Sequence, residues 1–331
     1  MAQLSVILST KFLSAIFSTI FIILLGYYLR RKNLVQENGA KVLSSILLSA
    51  ALPALAFTAF MQDIKPETYT TGINVLIFGF VAYIILILLG YIFYAKYNGD
   101  SKKAMIVLTA FGSTTFFGIP IINGLLGATG TLYANIFNIA YRVFLYSFGL
   151  IMMSGIKFEK KNLKQIFVNP IIIATFIGLI VWIFQKEIPF ARIDKTAKPI
   201  FAALKYLGGL SSPLAWLAIG MTLASISLSD ALKETKTLIY AIIKLIVIPA
   251  IFLAILIGLN LLGIHFQYEA IVAIIIMLAT PPATVAVAYA IKFEKESVLA
   301  SNISLVNTVL SVFAIIIWIV LLAITHGFNL I

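Results

Sequence analysis

The sequence predicts an all-α polytopic membrane protein, with ten transmembrane helices arranged as two inverted five-helix repeats. Three observations carry that prediction. Of the 331 residues, 62% are hydrophobic and only 11% are charged, far outside the composition of a soluble globular domain. The apolar residues gather into ten runs, each near the ~20 residues that cross a bilayer as a helix. Prolines inside those runs recur in register between the two halves of the chain.

The runs can be taken in order. Spans one (10–30) and two (38–61) flank the basic cluster Arg30-Arg31-Lys32, and span two contains Pro53. Span three (72–95) is uniformly apolar and ends at Lys96. Span four (104–126) carries Ser113-Thr114-Thr115, Gly118 and Pro120 at its middle, where an ordinary span is most apolar. A proline there removes a backbone donor and clashes with the carbonyl four residues earlier, so a break or kink is expected just before Ile119-Pro120. Span five (130–155) contains Arg142, and span six (168–186) opens at Asn169-Pro170. Span seven (197–225) contains Pro213, or is a shorter span preceded by an interfacial segment. Spans eight (236–262), nine (267–291) and ten (298–325) contain Lys244 with Pro249, Thr280-Pro281-Pro282, and Asn302 with Asn307. The first span lacks a basic leader and a small-residue cleavage site, and reads as retained.

Charge sets the topology. Fifteen Lys and Arg residues lie in the loops after odd-numbered spans against five in the loops after even-numbered ones. The positive-inside rule makes the odd loops cytoplasmic and puts both termini outside, at a cell membrane. The net charge of +12 is scattered over these loops, so the bilayer is the expected partner and nucleic acid is not.

Pro53 and Pro213 are 160 residues apart, and Pro120 and Pro281 are 161 apart. Residues 1–156 and 157–331 therefore read as two five-span halves, the second inverted because five is odd. Inverted repeats with paired interrupted helices are the pattern of secondary transporters that bind solute near the midplane. The competing reading is that membrane helices simply tolerate more prolines.

The sequence resembles the auxin efflux carrier family, which includes bacterial malate and malonate carriers. The residues concerned are Gly118-Ile-Pro120-Ile-Ile, Asn169-Pro170, Pro213-Leu-Ala with Ile219-Gly220-Met-Thr-Leu-Ala, Lys244 with Ile248-Pro249, and Ala279-Thr-Pro-Pro-Ala283. The resemblance implies ten spans in two inverted halves, a scaffold and a mobile transport bundle each formed by helices from both halves, and a crossover of broken helices four and nine beside the substrate. It is also compatible with a homodimer. Members commonly carry Asn seven residues before the span-four proline, whereas this chain has Ser113.

Enzymatic chemistry finds no support. All twelve carboxylates fall in loops or at span ends, with no catalytic pair at membrane depth. Cysteine is absent and the two histidines are near span ends, so no metal site and no cofactor are expected. The missing intramembrane acids also argue against a proton or sodium antiporter built on buried aspartates. Arg142 is different: at mid-bilayer it costs at least ~2.5–3.5 kcal/mol on insertion scales, so it should face a cavity or a partner. A bound anion or a bridge through carbonyls and amides would each serve. Lys205 and Lys244 lie close enough to span ends to snorkel.

The expected substrate site is therefore Ser113, Thr114, Thr115, Gly118, Asn138, Arg142, Thr280, Thr284, Asn302 and Asn307, shaped by helix breaks at Pro120, Pro281 and Pro282. These groups suit a small organic carboxylate moved by alternating access. A sodium-coupled symporter of the bile-acid type, using backbone carbonyls at the same crossover, is the alternative transporter. A channel or scramblase is the alternative class, although it should show a continuous polar stripe.

Overall fold

A computed structural model describes residues 10–155, 170–224 and 235–327 of the chain. Asn169, the basic loop at Lys157–Lys164, the junction of the two halves and both chain ends lie outside the described residues. Those residues form an all-helical protein without strands. In order, the helices are α1 (Thr10–Arg31), α2 (Gly39–Ala59), α3 (Pro66–Phe93), α4 (Gly99–Ala110), α5 (Thr114–Ser154) and α6 (Pro170–Ile183). They continue with α7 (Lys198–Gly209), α8 (Ser211–Ala224), α9 (Thr235–Leu261), α10 (Tyr268–Leu278), α11 (Thr284–Lys292) and α12 (Ser297–Gly327).

Among the described residues, six helices are long and apolar enough to cross a membrane: α2, α3, α5, α7 continued into α8 as Lys198–Met221, α9 and α12. Two shorter apolar helices are α6 and α10. Ten spans were expected. Predicted spans four and nine are each split in two, the second part of span four running into span five as α5; predicted span six is described over only the 14 residues of α6, and α1, over predicted span one, is not among the six. Inside α5, Gly127 has φ 63° and ψ −144°, a backbone conformation open to glycine and strained for other residues.

Proline is absorbed by one device used three times. Leu47–Ala51, Thr114–Gly118 and Ile243–Val247 are π turns, and Pro53, Pro120 and Pro249 are each the second residue of the α-helical stretch that follows. In all three, the residue before proline donates its N–H five residues back: Leu52 to Leu47, Ile119 to Thr114, and Ile248 to Ile243. The extra residue in the turn moves the carbonyl that a regular helix would press against the ring. The expected break just before Ile119-Pro120 is therefore only a widened turn, and the helix is interrupted earlier, at residues 111–113.

The closest helix pair is α1 with α8. A Cβ on Gly26 would collide with the Leu217 carbonyl oxygen, and one on Gly220 with that of Ile23, so the two backbones touch directly, as small residues allow. Tyr83 of α3 is buried against Phe111 (ring centroids 6.0 Å), Phe137 (5.6 Å) and Tyr141 (6.0 Å), which pins the end of α4 to α3 and α5. Large apolar side chains such as Ile77, Val81, Ile84 and Leu88 on α3 face outward, as lipid contact requires.

Outside the apolar helices, Arg192 clips the α6–α7 connection to the α2–α3 connection. It bonds Asp194 through Nε and Nη2 (2.8 and 2.7 Å), Asp63 through Nη1 (3.1 Å) and Gln185 through Nη1 (2.6 Å). The Lys195 ammonium, with Arg192 beside it, holds the Asp63 carboxyl below its usual pKa against a smaller opposing effect of desolvation. Gly220→Ala should destabilise the detergent-solubilised protein by about 1–3 kcal/mol through overpacking. Gly209→Ala, with nothing within 4 Å of its new methyl, should leave the melting midpoint unchanged, and thermal unfolding followed by tryptophan emission compares the two.

Candidate functional site

Two interrupted helices meet in the interior. After α4 the backbone turns extended at Phe111 (φ −109°, ψ 96°), and Gly112 forms an isolated antiparallel bridge with Pro282. Ser113 N–H donates to the Pro281 carbonyl (2.6 Å), and Ala283 N–H donates to the Phe111 carbonyl (2.8 Å). Residue types explain the pairing. Pro281 and Pro282 have no N–H to leave unsatisfied, and Gly112 has no Cβ, which would strike Thr280 Oγ1 and lie 3.3 Å from Lys244 Nζ.

The bridge forms one wall of a cavity of about 760 Å³. It runs from Arg142 and Tyr141 in α5 to the exposed Glu37 and Lys41 beside the start of α2. Of the expected site residues, Ser113, Thr115, Arg142, Pro281, Pro282 and Thr284 line it. The others sit behind that surface or elsewhere. Thr114 donates to Asn138 Oδ1 (2.7 Å), and Asn138 Nδ2 donates to Thr115 Oγ1 (2.8 Å), so Asn138 positions the two threonines. Gly118 packs on Met277 and Thr280 and gives its N–H to the Ser113 carbonyl (3.2 Å), so its amide is not available to a ligand. Buried Thr280 bonds its own helix at the Met277 carbonyl (2.7 Å).

Asn302 and Asn307 of α12 do not line the cavity; Ser304 and Thr308 do. Residues four apart share one helix face, and here it is Ser304 and Thr308 that bring it to the cavity. Asn307 Nδ2 bonds the Ile303 carbonyl of its own helix (2.8 Å). Pro120 is also off the cavity, its carbonyl accepting from Ser212 Oγ of α8 (2.7 Å).

Arg142 is buried, and its Nη1 donates to Thr175 Oγ1 of α6 (3.1 Å). Its Nη2 has no hydrogen-bond partner, and among the described residues no carboxylate pairs with the guanidinium; the ion pairs there lie at Asp63, Asp100 and Asp194. Two helix starts add to its positive potential. Phe117 N–H reaches back to the Ser113 carbonyl and Val287 N–H to that of Ala283, so the N–H groups of residues 114–116 and 284–286 have no acceptor within their own helices. Thr115, Phe116, Thr284 and Val285 bring those starts to the cavity wall.

Sequence reasoning missed the other ends of these helices. Lys244 does not snorkel: it is 1% exposed and donates to the Thr109 carbonyl (2.9 Å), while Tyr240 OH donates to that of Leu108 (2.7 Å). Lys205 is exposed, as expected. Lysine at i+4 from a tyrosine on one helix face was a readable signal, but nothing local tied it to α4.

Apolar helices interrupted at depth, around a polar cavity that reaches the surface, define a multi-pass membrane transport protein. The sequence model of the membrane transport protein family matches residues 11–319, and the chain belongs to this family, the auxin efflux carriers. It is 25% identical over 319 residues to an uncharacterized transporter of Methanothermobacter thermautotrophicus, covering 93% of this chain and 97% of that one. A second uncharacterized transporter, from Methanocaldococcus jannaschii, is 20% identical over 307 residues, covering 90% and 95%.

Gly112→Ala should drive the two interrupted helices apart and lower the melting midpoint by several degrees. Gly112→Ala with Thr280→Ala removes the colliding hydroxyl and should recover part of that loss; strict additivity would contradict the close approach.

Proposed function

We propose that the protein is a secondary transporter that carries a small organic carboxylate across the cell membrane by alternating access, holding the anion between the two interrupted helices. The observation that carries this reading is Arg142: a buried guanidinium on the cavity wall with Nη2 unpartnered and no carboxylate beside it. A carboxylate in the cavity would offset a charge that is costly at membrane depth, and a small shift of the enclosed Nη2 toward it would complete the hydrogen bonding. The unpaired N–H groups at both helix starts favour the same ligand. Thr115 fits as a donor, because its hydroxyl oxygen already accepts from Asn138 and its own proton is free.

In this reading the chain crosses ten times, in halves 1–156 and 157–331. The fourth crossing is α4 with the start of α5, the ninth is α10 with α11, and Gly127 separates the fourth from the fifth. The excess of basic residues in odd loops supports cytoplasmic placement of those loops and outside placement of both termini. Glu37 and Lys41 then put the cavity mouth on the cytoplasmic side. Opening to the other side would break the Ser212 hydrogen bond to the Pro120 carbonyl, which joins an interrupted helix to α8.

Uptake of a panel of mono- and dicarboxylates into proteoliposomes, with and without sodium and pH gradients, tests the proposal. Saturable uptake of a carboxylate is expected. Arg142→Gln should weaken it roughly 10–100-fold, the equivalent of one charge-assisted hydrogen bond, and Thr115→Ala should weaken it less. Wild-type uptake in both variants, or uptake of no carboxylate, would overturn the proposal.

A further inference from the structure

The carbonyl end of α4 is occupied by a cation from the protein itself. A helix C-terminus carries partial negative charge and unpaired carbonyls, and inside a membrane transporter such ends, where a helix is interrupted, are where coupling cations bind. Here Leu108 and Thr109 present those carbonyls, and α9 satisfies both, one with the Tyr240 hydroxyl and the other with the Lys244 ammonium. Tyr94 OH pairs with Thr109 Oγ1 (2.9 Å), closing the same end.

The lysine stands beside the bridge. Its Nζ is 3.3 Å from where a Gly112 Cβ would be, and the Met277 carbonyl oxygen at the end of α10 is 3.4 Å from that same point. The ammonium therefore lies by the meeting place of both interrupted helices. No carboxylate pairs with it among the described residues, where its hydrogen bond goes to the Thr109 backbone carbonyl. Among the described residues the arrangement is present in one half only. Tyr83, 161 residues earlier, is the register partner of Lys244 and is buried among aromatic rings, while the end of α10 is closed by Thr280 Oγ1 on the Met277 carbonyl (2.7 Å).

We propose that Lys244 is a tethered cation that fills the position a mobile coupling ion would take between the interrupted helices, so that the transporter works without sodium. The proposal rests on the membrane-transport reading but not on the identity of the transported anion. It explains why a costly charge is kept at depth without an acid: it stays with the protein through every turnover and needs no gradient to hold it there.

Thermal melting of the purified protein tests it without any carboxylate, and so stands apart from the uptake result on Arg142. The wild-type midpoint should be the same in sodium chloride and in choline chloride at equal ionic strength; stabilisation by sodium with Lys244 in place would overturn the proposal. Lys244→Ala opens the carbonyl end, and its midpoint should fall by several degrees in choline and recover in sodium or methylammonium chloride, because a bound cation stabilises the folded state by mass action. A midpoint insensitive to either cation would overturn it. Should that variant not fold, Lys244→Gln keeps a donor and drops the charge. A midpoint lowered in both salts then supports the cation, and a wild-type midpoint overturns it.

Discussion

The rest of the structure depends on one constraint: in an apolar interior every backbone N–H and C=O needs a partner inside the protein. Interrupting a helix frees several such groups at once, and this chain interrupts two. The bridge between Gly112 and Pro282 meets the constraint by placing the gaps against each other, so that Ser113 and Ala283 find acceptors across the gap. Donors that would have no acceptor are removed at the source, since residues 281 and 282 are prolines. What the bridge leaves open is directional. The starts of α5 and α11, whose first N–H groups have no acceptor within their own helices, reach the cavity wall, while the carbonyls at the end of α4 are closed from α9.

Much of the architecture was legible. Composition and apolar run length identify a polytopic helical protein, because a helix must span a fixed thickness of hydrocarbon. Pro281 and Pro282 lie in the gap they were expected to shape. Pro120 does not, although its local signal was as strong. The difference lies in what surrounds each ring: five residues of π turn absorb Pro120, as they do Pro53 and Pro249, and a proline alone does not tell a widened turn from a break. Gly112 was the better marker of the gap, but its meaning depends on Thr280, which lies 168 positions away in the chain.

The site was legible in type more than in detail. Arg142 stood out because its cost at depth demands a reason, and it lies on the cavity with Ser113, Thr115 and Thr284. Asn302 and Asn307 were chosen as amides in the right span, yet the face of α12 that meets the cavity is set by how the helix is rotated, which places Ser304 and Thr308 there instead. Lys244 was hidden for the same reason. Its depth along α9 allowed snorkelling, and only the fold places the end of α4 within reach of its ammonium.

The three π turns that precede prolines also separate a helix's length from its orientation. One residue advances an α-helix by roughly 100°, so each inserted residue rotates everything downstream by more than a quarter of a circle while adding little to the height. Upstream and downstream faces of α2 and α9 are thus set out of phase at a fixed joint, and α5 has the same joint at its start besides a further π turn at Leu145–Gly149. In α5 that joint lies between the gap at residues 111–113 and the Pro120 carbonyl held by Ser212. A side chain beyond such a joint faces a direction that no regular helix of the same length would give it, so the proline positions decide which residues look into the cavity.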